Sequence, residues 1–184
     1  MLVRHPQPEG AAGRCYGRTD LAVDPGRAAS AVAALRDRLT AGTGESPSHR
    51  TVRVVSSPLR RARVVAQLLA DDLRLPIVVD PRFAEIDFGS WEGRFWKDIP
   101  RAELDQWAAD LLRYRGHGGE SVSDLATRVA TGLGSCRPGD VVVSHLGVIR
   151  AALAHGGHPT PWTTVVPFGG VLGLRMSGVE GPSR

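Results

Sequence analysis

Strand-like and helix-like patterns alternate along this chain. Met1 to Val3 is short and apolar, and Ala28 to Leu39 sets Ala31, Val32, Leu35 and Leu39 at helical spacing. The β-branched run TVRVVS (51–56) reads as a strand, and Leu59 to Leu73 as a helix with Ala62, Ala66, Leu69 and Leu73 on one face. PIVVD (76–80) is a further strand, followed by helical patterns over Asp98 to Arg113 and Val122 to Leu133. DVVVS (140–144) is apolar without alternation, as expected of a strand covered on both faces, and Val148 to Ala154 continues as a helix. TTVVPF (163–168) and GVLGLRM (170–176) suggest a closing hairpin. Such alternation predicts an α/β sandwich around a mostly parallel sheet. AGTGESPSHR (41–50) reads as a surface loop, and 178–184 as a flexible tail. Three residues make a very short first strand, so the expectation is that the strand lacks a residue or more at its start.

Composition adjusts this picture only a little. The 184 residues are 42% hydrophobic, which suits one domain spanning 1–184 with a sizeable core. The formal net charge of +4 comes from arginine, since Lys97 is the only lysine. These arginines are spread along the whole chain without a basic tail or finger spacing, which argues for small anionic substrates over a nucleic acid. Cys15 and Cys136 fit neither a disulfide framework nor a thiolate metal site, and a reduced, cytoplasmic setting is expected. No 18-residue apolar run is present, so no membrane partner is expected.

The chemistry is concentrated where strands end, which is where open α/β sheets bind ligands. Arg4 and His5 follow the first strand. Ser56, Ser57, Pro58, Leu59, Arg60 and Arg61 follow TVRVV, and Ser144, His145, Leu146 and Gly147 follow DVVV. Ser57 is a suitable N-cap and Pro58 a suitable first helical residue. Arg60 and Arg61 would then lie in the first turn, where the helix dipole disfavours cations by a few tenths to ~1 kcal/mol each and a bound anion reverses the sign. The two are adjacent, so one of them faces outward. Two histidines and two arginines then define a cationic pocket whose natural ligand is phosphate, because guanidinium forks match phosphate oxygens. One histidine can attack phosphorus while the other stabilises the equatorial oxygens. The acid needed for the leaving alcohol is sought among Glu85, Asp87 and Glu92 of PRFAEIDFGSWEGRFW.

The pieces LVRHPQP, GRCYGRTDLAV, SSPLRRARVVA, FAEIDFGSWEG, GGES and VVVSHLGVIR, in this order, resemble the histidine phosphatase superfamily, the phosphoglycerate-mutase-like group. That resemblance implies a three-layer α/β sandwich with a mostly parallel central sheet of about six strands, and no metal or other cofactor. It makes His5 the phosphohistidine nucleophile, Arg4, Arg61 and His145 phosphate ligands, and Glu85 the acid/base, with Arg60 outward. Leu146, Tyr16 and Thr19 are further candidate substrate contacts. Pro6 stands where the family usually has glycine, which removes an N–H and fixes φ after His5. GRCYGRTD resembles the loop of α-ribazole phosphatases of cobalamin assembly. The expected function is therefore hydrolysis of a small phosphomonoester by a monomer or homodimer, with α-ribazole 5'-phosphate as the candidate substrate. A broad-specificity phosphatase, a phosphoglycerate-mutase-type phosphotransferase and a non-catalytic phosphate-ligand binding module are the alternatives. The segment around 94–120, with Trp96, Trp107 and His117, is the expected lid, although Trp96 and Trp107 serve equally well as helix-packing residues. His155 and His158 could share a helical face as metal ligands, but no acidic residue or cysteine is near them in sequence, and Gly156 and Gly157 break the helix.

Overall fold

The computed structural model describes residues 1–40 and 53–173. The surface loop expected at 41–50 and the tail at 178–184 lie outside the described residues. Among the described residues, five strands, β1 (Leu2–Arg4), β2 (Val54–Ser56), β3 (Ile77–Val79), β4 (Val141–Ser144) and β5 (Val171–Leu172), form one sheet in the order β3-β2-β4-β1-β5. All neighbours are parallel except β5, which runs antiparallel to β1. The helices are α1 (Pro25–Thr40), α2 (Arg60–Leu73), α3 (Arg101–Ala109), α4 (Val122–Leu133) and α5 (Leu146–His155).

Both faces of the sheet are covered, and the strand period of two divides the valines between two cores. Val3, Val54, Val141 and Val143 pack with Ala62, Val65, Ala66 and Leu69 of α2 and with Val32 and Leu35 of α1. Leu2, Val55 and Val142 pack on the other side with Leu125 and Val129 of α4 and Val148, Ile149 and Ala152 of α5. An apolar run without alternation is therefore two alternating faces, each with its own helix layer.

A third cluster is aromatic. Trp91, Cys15 and Ile99 are buried against Phe88, Trp96, Trp107 and Tyr114, so the segment expected to form a lid is anchored to the body by ring contacts. His117 is buried there too, its ring 4.8 Å from Trp91. It accepts a hydrogen bond from the Gly119 N–H at Nδ1, and burial pulls its basicity below the ordinary histidine value.

The expected closing hairpin does not form as such. Residues 163–168 are not a strand, and β5 pairs with β1 instead. Pro167 has no N–H to give, Val165 is 80% exposed, and the Val166 carbonyl is taken by the Arg4 guanidinium. The helix expected over 98–113 is shorter at both ends, since Pro100 stands at its N-cap and confines it to Arg101–Ala109. Likewise α2 begins at Arg60, because the Ser57 hydroxyl accepts the Leu59 N–H rather than capping a helix that starts at Pro58.

Candidate active site

Topology gathers the three strand ends. The central strand β4 has β1 on one side and β2 on the other, and the ladder continues one step beyond the strands. The His5 N–H donates to the Ser144 carbonyl at 3.0 Å, and the Ser57 N–H to Val143 at 3.0 Å. Hence His145 emerges between His5 and Ser57. The rings of His5 and His145 lie edge to face, with centroids 5.0 Å apart at 63°, and both are buried.

His5 is held in one protonation pattern. Its Nδ1 lies 2.7 Å from the Pro6 carbonyl oxygen, which can only accept, so Nδ1 carries the proton and Nε2 presents a lone pair. Proline at position 6 leaves this bond intact, because it supplies a carbonyl as glycine would. Arg61 donates from Nε to His5 Nε2 at 3.3 Å. Its terminal nitrogens donate to the carbonyls of Thr19 (2.7 Å), Gly17 (2.6 Å) and Tyr16 (3.2 Å). A fully buried guanidinium thus ties the loop 16–19 to the histidine, while its neighbour Arg60 faces solvent. Arg4 donates to Val166 O at 2.6 Å, stacks over Phe168 at 3.8 Å and has the Tyr16 hydroxyl beside it.

Of the three candidate carboxylates, the fold leaves one at the cavity. Glu92 accepts from the backbone of Arg18, Thr19 and Phe88 and from the Thr19 hydroxyl. Asp87 caps the turn at Gly89. Glu85 lines the cavity with His5, and the Gly147 N–H at the start of α5 donates to its Oε2 at 3.2 Å. Arg128 of α4 fixes the backbone that carries Glu85. It donates to the carbonyls of Arg82 (2.8 Å), Ala84 (2.7 Å) and Glu85 (3.0 Å), and it pairs with Glu120 at 2.6 Å.

A Cβ at position 147 would lie 2.3 Å from Glu85 Oε1. Gly147→Ala must therefore displace the carboxylate, and a fall in kcat of about 10–100-fold is expected, the cost of a roughly 1 Å misplacement. Steady-state kinetics, with circular dichroism to show an intact fold, checks this.

The cavity measures about 350 Å³. Its wall beyond Arg4 and His5 is largely aromatic and aliphatic, with Phe88, Trp96, Trp107, Trp162, Leu111 and Leu125, while His145 and Arg61 lie behind His5 and do not line it. Trp96 and Trp107 pack in the aromatic cluster and also line the cavity. Arg14 and Arg150 add positive charge there, held by the carbonyls of Gly93 and Thr164. Tyr16 and Leu146 line it as well. Thr19 does not: its hydroxyl is turned to Glu92 and its carbonyl to Arg61. Arg128, Arg14, Arg150 and Trp162 had no signal in the linear pattern, and Ser57 signalled only a helix cap, because each matters through tertiary contacts.

Among the described residues, Arg4 Nε and His145 Nδ1 are buried without any hydrogen-bond partner, as is Trp107 Nε1 in the cavity wall. Such atoms cost about 1–3 kcal/mol each, and an anion that accepts from them recovers that cost. Burial, then the Arg61 charge, then Arg4, drives His5 down to about 3, against the Pro6 hydrogen bond that opposes this. Burial first, with His5, Arg61, Arg128 and Arg18, holds His145 well below the ordinary value. In the folded state both rings are neutral at neutral pH, while unfolded histidine protonates near 6.5. Their contribution to stability is therefore full above about pH 6.5 and is lost as pH falls toward 3. Between pH 7 and 5 the unfolding free energy should drop by about 2 kcal/mol through His5, with a further drop through His145, in a phosphate-free buffer. Urea unfolding across that range checks it, and His5→Gln should remove the His5 part of the slope.

A profile of the histidine phosphatase superfamily (branch 1) matches residues 1–164. The glucosyl-3-phosphoglycerate phosphatase of Mycolicibacterium vanbaalenii is 35% identical over 174 residues, covering 84% of this chain and 72% of that protein. The adenosylcobalamin/alpha-ribazole phosphatase of Escherichia coli is 28% identical over 109 residues, 55% of this chain and 54% of that one. The native structure of mycobacterial glucosyl-3-phosphoglycerate phosphatase superposes with a TM-score of 0.72 at 27% identity, covering 91% of this chain and 84% of the other. TTHB049 from Thermus thermophilus gives a TM-score of 0.68 at 29% identity, covering 91% and 88%. With the profile running through all three strand ends and the fold shared across nine-tenths of its length, this chain belongs to the histidine phosphatase superfamily, branch 1, among its phosphatases.

Proposed function

We propose that this protein hydrolyses small phosphomonoesters through a covalent phosphohistidine on His5, without a metal ion. The observation that carries this is a neutral His5, its Nε2 lone pair fixed by the Pro6 contact, beside buried nitrogens that lack partners of their own. Nε2 attacks phosphorus, and the bond to the alcohol oxygen breaks. Glu85, as the general acid, gives a proton to that oxygen. Water then attacks the phosphohistidine, Glu85 takes a proton from it, and the P–N bond breaks to free phosphate and restore His5. Arg4, Arg61 and His145 hold the three equatorial oxygens and supply the charge that a metal supplies elsewhere.

For the leaving group, the aromatic wall favours a sugar phosphate that carries an aromatic base, as α-ribazole 5'-phosphate does. A second reading rests on the 35% identical relative and on Arg14 and Arg150, which would suit a sugar acid such as glucosyl-3-phosphoglycerate. Measuring kcat/KM for both substrates, alongside p-nitrophenyl phosphate, separates these readings from broad specificity. EDTA should leave the rates unchanged; loss that a divalent cation restores would overturn the metal-free route. Binding of phosphate without turnover of any ester would indicate a binding module, and isomerisation of phosphoglycerate with a bisphosphate primer a mutase.

A further inference from the structure

The Ser57 hydroxyl makes two hydrogen bonds, and counting protons at that oxygen assigns the tautomer of His145. Ser57 is fully buried, and its Oγ accepts the Leu59 N–H at 3.2 Å. The same oxygen lies 2.7 Å from His145 Nε2. Were Nε2 the donor, the hydroxyl would accept twice and its own proton would be left without a protein acceptor at a buried oxygen. Were it so, Nδ1 would also turn a bare lone pair, rather than an N–H, toward an anion. Both problems vanish when Ser57 donates.

We infer that Ser57 is a positioning residue: its hydroxyl donates to His145 Nε2, holds the ring as the Nδ1–H tautomer, and so keeps the Nδ1 proton available to the phosphoryl group. This rests on the reading of His145 as a phosphate ligand. The neighbouring Arg61 comes from the same segment, since the chain runs from Ser57 directly into α2. One short stretch after β2 thereby supplies a phosphate ligand and sets the proton on another. The neutral ring that this requires agrees with the effect of burial on His145.

The test uses 15N-histidine-labelled protein and a long-range 1H–15N correlation at pH 7, which separates the two tautomers of a neutral imidazole. For wild type, His145 should appear as a single Nδ1–H species; a Nε2–H pattern would overturn the assignment whatever any variant does. In Ser57→Ala the tautomers should mix, and kcat/KM should fall by about 10–100-fold, part of what deleting one oxyanion donor costs. Ser57→Thr, which keeps the hydroxyl, should restore the single species and most of the rate. Loss of rate in Ser57→Ala with the tautomer unchanged would mean that Ser57 acts only through the start of α2. If instead the NMR predictions hold but His145→Ala retains full activity, the tautomer assignment survives and the phosphate-ligand reading falls.

Discussion

Replacing His5 by alanine should lower kcat by about 10⁴–10⁶, the scale on which removing a nucleophile acts. The fold should persist. His5 is neutral where it is buried, so its loss removes one ring's packing and the acceptor of Arg61 Nε, while the three carbonyl contacts of Arg61 and both cores remain. The diagnostic feature is covalent. Wild type mixed with a radiolabelled phosphomonoester should retain label on the protein, and His5→Ala should retain none. Residual hydrolysis near the wild-type rate would mean that water attacks phosphorus directly.

Glu85→Gln should lower turnover of an alkyl phosphomonoester by about 10²–10⁴, the usual contribution of a positioned acid/base. The two half-reactions should respond differently to the leaving group. p-Nitrophenolate needs no proton to depart, so the first step with p-nitrophenyl phosphate should be nearly spared. Attack by water on the phosphohistidine still lacks its base. The variant should therefore release one equivalent of nitrophenol in a burst and then stall as phosphoenzyme. A normal burst with normal decay would remove the role from Glu85. Neither Asp87 nor Glu92 stands ready to take it, because neither lines the cavity: Asp87 is turned to the Gly89 N–H and Glu92 to the backbone of Arg18, Thr19 and Phe88.

Much of this site was legible before any coordinates. Arg4, His5, Arg61 and His145 sit at strand ends, and the parallel order β2-β4-β1 places those ends side by side. Val122–Leu133 follows its helical period to the residue. The misreadings have local causes. Pro100 shortens the helix expected from Asp98, and Val165 and Val166 look strand-forming by propensity while Pro167 has no N–H for a ladder and Arg4 takes the Val166 carbonyl. Ser57 reads as a cap because serine before proline usually is one. Its hydroxyl instead reaches a histidine 88 residues away, and no periodicity encodes such a contact. Arg128 is similar: nothing in the period of α4 sets it apart, yet its donors are spent on the loop that carries Glu85 and on Glu120.

The most direct measurement is the location of the phosphoryl group on the trapped intermediate. Glu85→Gln, quenched in alkali after reaction with p-nitrophenyl phosphate, should carry one phosphate on His5, and 31P–15N coupling should place it on Nε2, since Nδ1 is engaged with the Pro6 carbonyl. Phosphate on Nδ1, on another residue or on none would contradict the nucleophile and the geometry assigned to it.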